Sequence, residues 1–289
     1  MKILVTGYSG QLGFDVCREL DRRKISYYGA VRRDFDLTDA DAVSQFIINY
    51  KPDAVIHCAA YTAVDKAEDE VGLCRKINVD AVRAIAMTCC SIGAKLVYIS
   101  TDYVFPGDGE EFYEINDAKK PLNVYGQSKL DGERIVETLL EKYFIVRISW
   151  VFGINGHNFI RSMLNLSKTH NNLTIVDDQI GSPTYTADLA PLLCSMVQSD
   201  KYGIYHATNE GICSWAEFAE NIFMSAGLKV RVTGQPSSAY PTRAKRPLNS
   251  RMSKKSLDKA GFKHLPDWHD ALRRYIYELQ AVGALPEKQ

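Results

Sequence analysis

The chain has 289 residues, 46% of them hydrophobic and 24% charged, with 35 basic side chains balancing 35 acidic ones. That length suits one large domain or two unequal ones, and a formal charge of zero leaves no footprint for nucleic acid or an anionic membrane surface. No window approaches a membrane-spanning apolar run, and the seven cysteines, without a C-x-x-C pair, read as reduced buried thiols and not as a disulfide framework or a zinc site.

The first element predicted is a strand, Lys2-Ile-Leu-Val-Thr6, running into Gly7-Tyr-Ser-Gly10-Gln11-Leu12-Gly13 and then a helical pattern from Phe14. Gly7 permits a tight exit from the strand. Gly10 lets the backbone approach a pyrophosphate, and Gly13 lets the helix pack close. The helix N-terminus offers free N–H groups and a positive partial charge to phosphates. The spacing is G-x-x-G-x-x-G, and its place directly after a strand points to a nucleotide site. A chain opening this way is expected to be cytoplasmic, without a cleaved leader.

A second strand, Ile25 to Val31, ends at Arg32-Arg33, with Asp36-Leu37 beyond it. Arginine at this strand end suits the 2′-phosphate of NADP, where an acidic residue would suit the ribose of NAD. NADPH is therefore the expected cofactor, with NADH as the alternative. Asp39 opens a helix to Tyr50. Ala54–Cys58 is a buried strand that ends in the small residues Ala59-Ala60, then Tyr61-Thr62. A helical stretch from about Val71 to Ile92 follows. Lys95–Ser100 is the next strand, with Thr101-Asp102-Tyr103 at its carboxyl end. Pro106 to Pro121 reads as a surface loop.

From Asn123 a helix carries Tyr125 and Lys129 at i and i+4, on one face. A lysine ammonium beside a phenol favours phenolate and makes tyrosine a usable acid near neutral pH. Thr101 can hold a reacting carbonyl oxygen. After a strand from Tyr143 to Ser149 and then Trp150, the regular alternation weakens. Short strands are expected at Leu173–Val176, Gly203–His206 and Lys229–Thr233. Helices are expected at Asn158–Leu164, Asp188–Val197, Trp215–Ala226, from Ser253, and over Asp267–Gln280.

Strands alternating with helices predict an α/β fold, a Rossmann-type doubly wound parallel sheet with a smaller, interwoven C-terminal domain. The dinucleotide-binding domain is expected over 1–152 plus about 185–206, and the substrate-binding domain over about 153–184 and 207–289. Residues at the carboxyl ends of the strands should share one crevice. Arg243, Lys245, Arg246 and Arg251 form a local basic cluster suited to a diphosphate.

Thr6-Gly-x-x-Gly-x-x-Gly13, Thr101 and Tyr125-x-x-x-Lys129 resemble the extended short-chain dehydrogenase/reductase superfamily. More narrowly, five runs resemble the dTDP-4-dehydrorhamnose reductase family: Cys58–Glu68, Ser100–Phe105, Ile148–Gly153, Asp178-Gln-x-Gly-x-Pro-Thr184 and Arg246-Pro-x-Asn-Ser250. The resemblance implies hydride reduction of the 4-keto group of a dTDP-linked 6-deoxy sugar. It implies Tyr125 as proton donor, Lys129 tuning it and bonding the nicotinamide ribose, and Thr101 orienting the carbonyl. Gly10, Gln11 and Leu12 would meet the pyrophosphate, Asp36 and Leu37 the adenine side, and Ala59, Ala60 and Tyr61 the ribose and nicotinamide side. Val64, Asp65, Thr101, Asp102 and Trp150 would line the sugar pocket. Asn158, Thr184, Arg246 and Asn249 would meet the nucleotide diphosphate.

Some family members bridge subunits through a divalent ion. Here only Asp15 and Asp188 stand at the corresponding places, so no metal is expected, and a monomer or weak homodimer follows. Two other readings stay open: a 4-epimerase or 4,6-dehydratase on the same scaffold, and a non-catalytic NADP-binding regulatory subunit. A dehydratase would want a second carboxylate where Tyr103 follows Asp102. Intact Thr101, Tyr125 and Lys129 weigh against a purely regulatory role.

Overall fold

The computed structural model describes residues 1–285. Its elements, in chain order, begin with β1 (Lys2–Thr6), α1 (Gln11–Arg22), β2 (Ser26–Ala30), α2 (Ala40–Tyr50) and β3 (Ala54–His57). Then come two short helices, α3 (Val64–Ala67) and α4 (Val71–Arg75), a π-helical turn Lys76–Asp80, α5 (Ala81–Ile92) and β4 (Lys95–Thr101). A 3-10 turn at Asp102–Val104 precedes α6 (Val124–Leu139), β5 (Tyr143–Ile148), β6 (Val151–Phe152) and α7 (Phe159–Leu166). The chain continues through β7 (Asn172–Val176), β8 (Ile180–Gly181), β9 (Thr184–Tyr185), α8 (Thr186–Val197) and β10 (Gly203–His206). It closes with β11 (Cys213–Ser214), α9 (Trp215–Ala226), β12 (Arg231–Gln235), β13 (Asn249–Ser250), α10 (Lys255–Ala260) and α11 (Trp268–Ala281).

Six strands form one parallel sheet in the order β10-β5-β4-β3-β1-β2. Its strands read as continuous apolar runs because both faces are covered. Ile3, Val5, Ala54, Ile56, Val97, Phe144 and Val146 point to the face packed by α1 and α8. Leu4, Val55, Leu96, Tyr98 and Ile145 alternate to the other face, under α2, α5 and α6. The order reverses between β1 and β3, so the chain opens a crevice at that point, above the carboxyl ends of the strands. A third cluster, with Phe152, Phe218, Trp268 and Tyr275, builds a smaller lobe from α7, α9 and α11. Leu257 and Leu265, late in the chain, pack back into the core of the sheet.

The helix expected over Val71–Ile92 is interrupted. The wide turn at Lys76–Asp80 carries Asn78, whose side chain accepts from the Tyr61 N–H at 2.9 Å and donates to the Tyr61 carbonyl at 3.0 Å and to Ser128 Oγ at 2.9 Å. A regular helix would give that amide a different aim. The strand expected at Lys229–Thr233 begins two residues later, where Arg231 pairs with Asn172.

One buried ion pair fastens α6 to the sheet. Arg147 on β5 donates twice to Glu133, through Nε at 2.8 Å and Nη2 at 2.7 Å, with both side chains almost wholly buried. Ser100 Oγ also donates to Glu133. Removing one partner strands the other charge. Glu133→Gln is expected to cost about 3 kcal/mol in urea-induced unfolding. The double replacement Glu133→Leu with Arg147→Met should regain most of it, because desolvated ion pairs return little net stability over well-packed apolar groups. A single-variant loss under about 1 kcal/mol would contradict this account.

Candidate active site

Three glycines shape the dinucleotide end. Gly7 sits at φ +73°, and a Cβ on it would stand 2.8 Å from the Ala59 nitrogen. A Cβ on Gly13 would stand 2.3 Å from the Gly7 carbonyl oxygen, so α1 presses directly on the turn. Gly10 is the N-cap of α1; no side chain caps its first N–H groups and no acid stands in its first turn. That is a cradle with free donors and a favourable dipole for phosphate oxygens.

A cavity of about 680 Å³ runs from this cradle along the strand ends. Gly7, Gly10, Gln11, Leu12, Leu37, Ala59, Ala60, Val64, Thr101, Asp102, Tyr125, Lys129 and Trp150 all line it. A side cavity of about 230 Å³ continues past Gly7 to Arg32, Asp36 and Leu37. Arg32 is paired there with Asp36 at 3.2 Å, and Arg33 is exposed on the same turn.

Thr101 ends β4. Its hydroxyl donates to Asp102 Oδ1 at 2.9 Å and accepts the Tyr103 N–H at 3.2 Å. Asn123 caps α6 by accepting the Gly126 N–H at 2.8 Å. Tyr125 and Lys129 then face Thr101 from one side of that helix. Burial pushes the Tyr125 phenol up, as does the Asp102 carboxylate, with a hydrogen bond to the Thr101 side chain opposing. Burial also lowers Lys129 to about 7, against the opposing charge of Glu133. Its Nζ rests 4.2 Å from the centre of the Tyr98 ring. Desolvation thus moves both groups toward their neutral forms.

Trp150 adopts φ +50°, a backbone region that a bulky residue rarely enters. Its ring lies 3.8 Å from that of Trp215, stacked at 16°. Gly181 makes room, since a Cβ there would stand 3.1 Å from the Trp150 ring. Trp215 was not singled out from the sequence, where it reads as the start of a helix. His157 and Ser9 are further cavity residues that carried no sequence signal.

Four residues expected to meet ligand also make hydrogen bonds within the protein. Asn158 caps α7, and its amide nitrogen lies 2.9 Å from Gln11 Oε1, 3.0 Å from the Gly153 carbonyl and 2.9 Å from the Tyr275 hydroxyl, sharing two protons among them. Thr184 is fully buried and donates to the Ser149 carbonyl at 2.6 Å. Asn249 donates to the carbonyls of Asp108 and Glu111. Each has backbone or side-chain partners nearby, as a buried polar group requires. Tyr61 gives its backbone to Asn78 and turns its hydroxyl to Glu70 at 2.9 Å, away from the cavity; Thr62 lines it instead. Asp65 and Arg246 do meet, at 2.6 Å, on the wall of a second cavity of about 560 Å³ that shares Trp215 with the first. Asp15 and Asp188 are engaged internally, by Thr186 and Arg18 and by Arg274 and Asn209 respectively.

A family model described as RmlD substrate binding domain matches residues 1–281. Among curated relatives, the spore coat polysaccharide biosynthesis protein SpsK of Bacillus subtilis (strain 168) is 39% identical, over 96% of this chain and 97% of its own. A crystal structure of a dTDP-4-dehydrorhamnose reductase from Clostridium acetobutylicum ATCC 824 superposes with TM-score 0.94 at 41% identity, covering 97% of this chain and all of that one. The dTDP-4-dehydrorhamnose reductase of Bacillus anthracis str. Ames, solved in complex with NADP, gives 0.93 at 42% identity, over 96% of this chain and 99% of that one.

The glycine cradle generates a direct expectation. Gly13→Ala puts a methyl into the Gly7 carbonyl. It should cost about 2 kcal/mol in thermal or denaturant unfolding. It should also weaken dinucleotide binding, read by fluorescence titration. Unchanged stability and affinity together would show that α1 can retreat without consequence.

Proposed function

The chain belongs to the dTDP-4-dehydrorhamnose reductase family, and we propose that it reduces the 4-keto group of dTDP-4-dehydro-β-L-rhamnose with NADPH to give dTDP-L-rhamnose. The observation that carries this reading is the meeting of Thr101, Tyr125 and Lys129 in one cavity with the phosphate cradle. The residues fit the cofactor: uncapped N–H groups at α1 for the pyrophosphate, Arg32 at the far end for a 2′-phosphate, and Lys129 near the reacting end.

When bound, the reduced nicotinamide supplies a hydride to the carbonyl carbon. Negative charge then develops on the carbonyl oxygen, and Tyr125 gives its phenolic proton to that oxygen. A phenol held high by burial is fully loaded at neutral pH. The phenolate left behind is met by the Lys129 ammonium, which binds its proton more firmly beside a new negative charge. Thr101 orients the oxygen between them. The balance is one hydride to carbon and one proton to oxygen, which converts a ketone to a secondary alcohol.

The substrate's sugar would sit between Val64, Asp102 and the stacked Trp150 and Trp215, which offer an apolar wall to a deoxy sugar. The nucleoside would extend into the second cavity past Trp215, with Arg246 the cation beside the diphosphate. Asp65 accepts both from Arg246 and from the Ala244 N–H, so its role is to hold that arginine and its loop in place.

The test is NADPH consumption with enzymatically generated dTDP-4-dehydro-L-rhamnose, with product identified by chromatography. Wild type should form dTDP-L-rhamnose, and Tyr125→Phe should lose about 10²- to 10⁴-fold in kcat, the usual worth of a positioned acid. NADP binding without turnover by wild type would overturn the reading and return attention to other 4-keto sugar nucleotides or a regulatory role.

A further inference from the structure

The run Arg246-Pro-Leu-Asn-Ser250 is explained only in part by substrate binding. Its residues grip the segment that follows Thr101. Pro247 packs on Gly107, which sits at φ +71° and has no room for a Cβ. The N–H groups of Leu248 and Asn249 both donate to the Gly107 carbonyl, at 3.0 and 2.9 Å. Asn249 holds Asp108 and Glu111. The last member, Ser250, is 3% exposed and donates its hydroxyl to Asp102 Oδ2 at 2.5 Å.

Asp102 therefore has one hydroxyl on each carboxyl oxygen: Ser250 on Oδ2 and Thr101 on Oδ1. A hydroxyl has one proton, and an ionised carboxylate only accepts. While Asp102 is ionised, the Thr101 proton is committed to it, and Thr101 presents only lone pairs to the cavity. Lone pairs repel a carbonyl oxygen that is gaining negative charge. A proton on Oδ1 reverses the chain. The acid then donates to Thr101 Oγ1, and the Thr101 proton is released toward the cavity. Ser250 decides which oxygen carries that proton, because its donation makes Oδ2 the carbonyl-like oxygen.

We propose that Ser250, Asp102 and Thr101 form a directional hydrogen-bond chain in which a neutral Asp102 turns the Thr101 hydroxyl toward the substrate's carbonyl oxygen. This deepens the reductase reading and rests on it. Ser250 and Asp102 are positioning residues. No proton leaves the chain during turnover; Tyr125 supplies the one that reaches oxygen.

The surroundings bring the neutral acid into reach on the acid side of neutral pH. Burial raises Asp102 to about 6, with the hydrogen bonds from Ser250, Thr101 and the backbone N–H groups of Asp102 and Tyr103 opposing. Tyr103 on its own turn is pushed up to about 12 by burial, and Tyr125 on α6 is also pushed up, so both are uncharged at neutral pH. Arg246 is turned to Asp65 and the Tyr103 hydroxyl, Arg251 to Asn249, and Lys129 stands one helical turn beyond Tyr125.

Two measurements test the chain. In the first, kcat of wild type is followed against pH with saturating substrate and NADPH. It should fall as pH rises through the Asp102 titration, since the neutral form is the productive one. Ser250→Ala should lower kcat about tenfold with KM within about twofold, and move that fall to higher pH, because a bond favouring the carboxylate is gone. Asp102→Asn, whose amide can donate to Thr101 while its oxygen accepts from Ser250, should lose the pH step and retain about tenfold more kcat than Asp102→Ala. Equal rates for the Asn and Ala variants, or an unmoved profile in Ser250→Ala, would overturn the chain.

The second measurement needs no substrate. Aspartate labelled with ¹³C at the carboxyl carbon is titrated by NMR in the full-length protein, with Asp102 assigned by its loss in Asp102→Asn. Its midpoint should move upward in Ser250→Ala. A shifted midpoint in a protein that does not reduce the proposed substrate would leave the chain standing and remove the reductase reading. A midpoint that stays put in an active enzyme would remove the chain alone.

Discussion

The site depends on how closely α6 approaches the sheet. A Cβ on Gly126 would stand 2.3 Å from the Tyr103 carbonyl oxygen, and one on Gly132 would stand 2.3 Å from the Tyr98 hydroxyl. Any side chain at either position would lift the helix. Lys129 lies between these two contacts, and Tyr125 directly precedes the first. Two glycines thus set the gap between the phenol and Thr101 on the strand below. The close approach has an energetic counterpart. Glu133, one turn past Lys129, carries a charge into the core and meets Arg147 there. The pair fixes the helix in rotation and register more than it adds stability, since the desolvation of two charges consumes most of their attraction.

The same buried environment controls the chemistry. Desolvation raises Tyr125 and Asp102 and lowers Lys129, so each moves toward its neutral form. At neutral pH Asp102, raised to about 6, is still mostly carboxylate, and Lys129, lowered to about 7, is divided between its two forms. In the proposed reaction, further charge develops on the carbonyl oxygen and the phenolate, beside Thr101 and Lys129. That is preorganisation in the electrostatic sense.

Much of this was legible in the chain. The glycine spacing marked the tight turn into the uncapped start of α1, and the i, i+4 relation placed Tyr125 and Lys129 on one face. Apolar runs such as Ala54–His57 announced strands buried on both sides. What failed to show was the assignment of polar residues that do not vary in chemistry with their role. Asn158 and Asn249 offer the same amide whether they hold a diphosphate or stitch two loops, and only the fold shows which local partners they take. Trp215 was invisible for the opposite reason. An aromatic at the start of an amphipathic helix belongs to the core by default, and its stacking on Trp150 arises from a contact 65 positions apart in the chain. The turn at Lys76–Asp80 leaves no pattern either, because one extra residue in a helix turn shifts the apolar stripe without breaking it.

Several polar side chains lie on the seam between the two lobes. Gln11, at the phosphate loop, accepts from the Gly153 N–H and from Asn158, and Asn158 reaches on to Tyr275 in the last helix. Arg246 and Ala244 close on Asp65, and Ser250 closes on Asp102. A seam made of hydrogen bonds is directional where an apolar one would slide. The smaller lobe is therefore held in one register over the strand ends, and the hydroxyl of Thr101 is oriented from a strand nearly 150 residues later in the chain. Sequence motifs of this kind carry function through geometry as well as through contact, and the two become separable only when every donor has been followed to its acceptor.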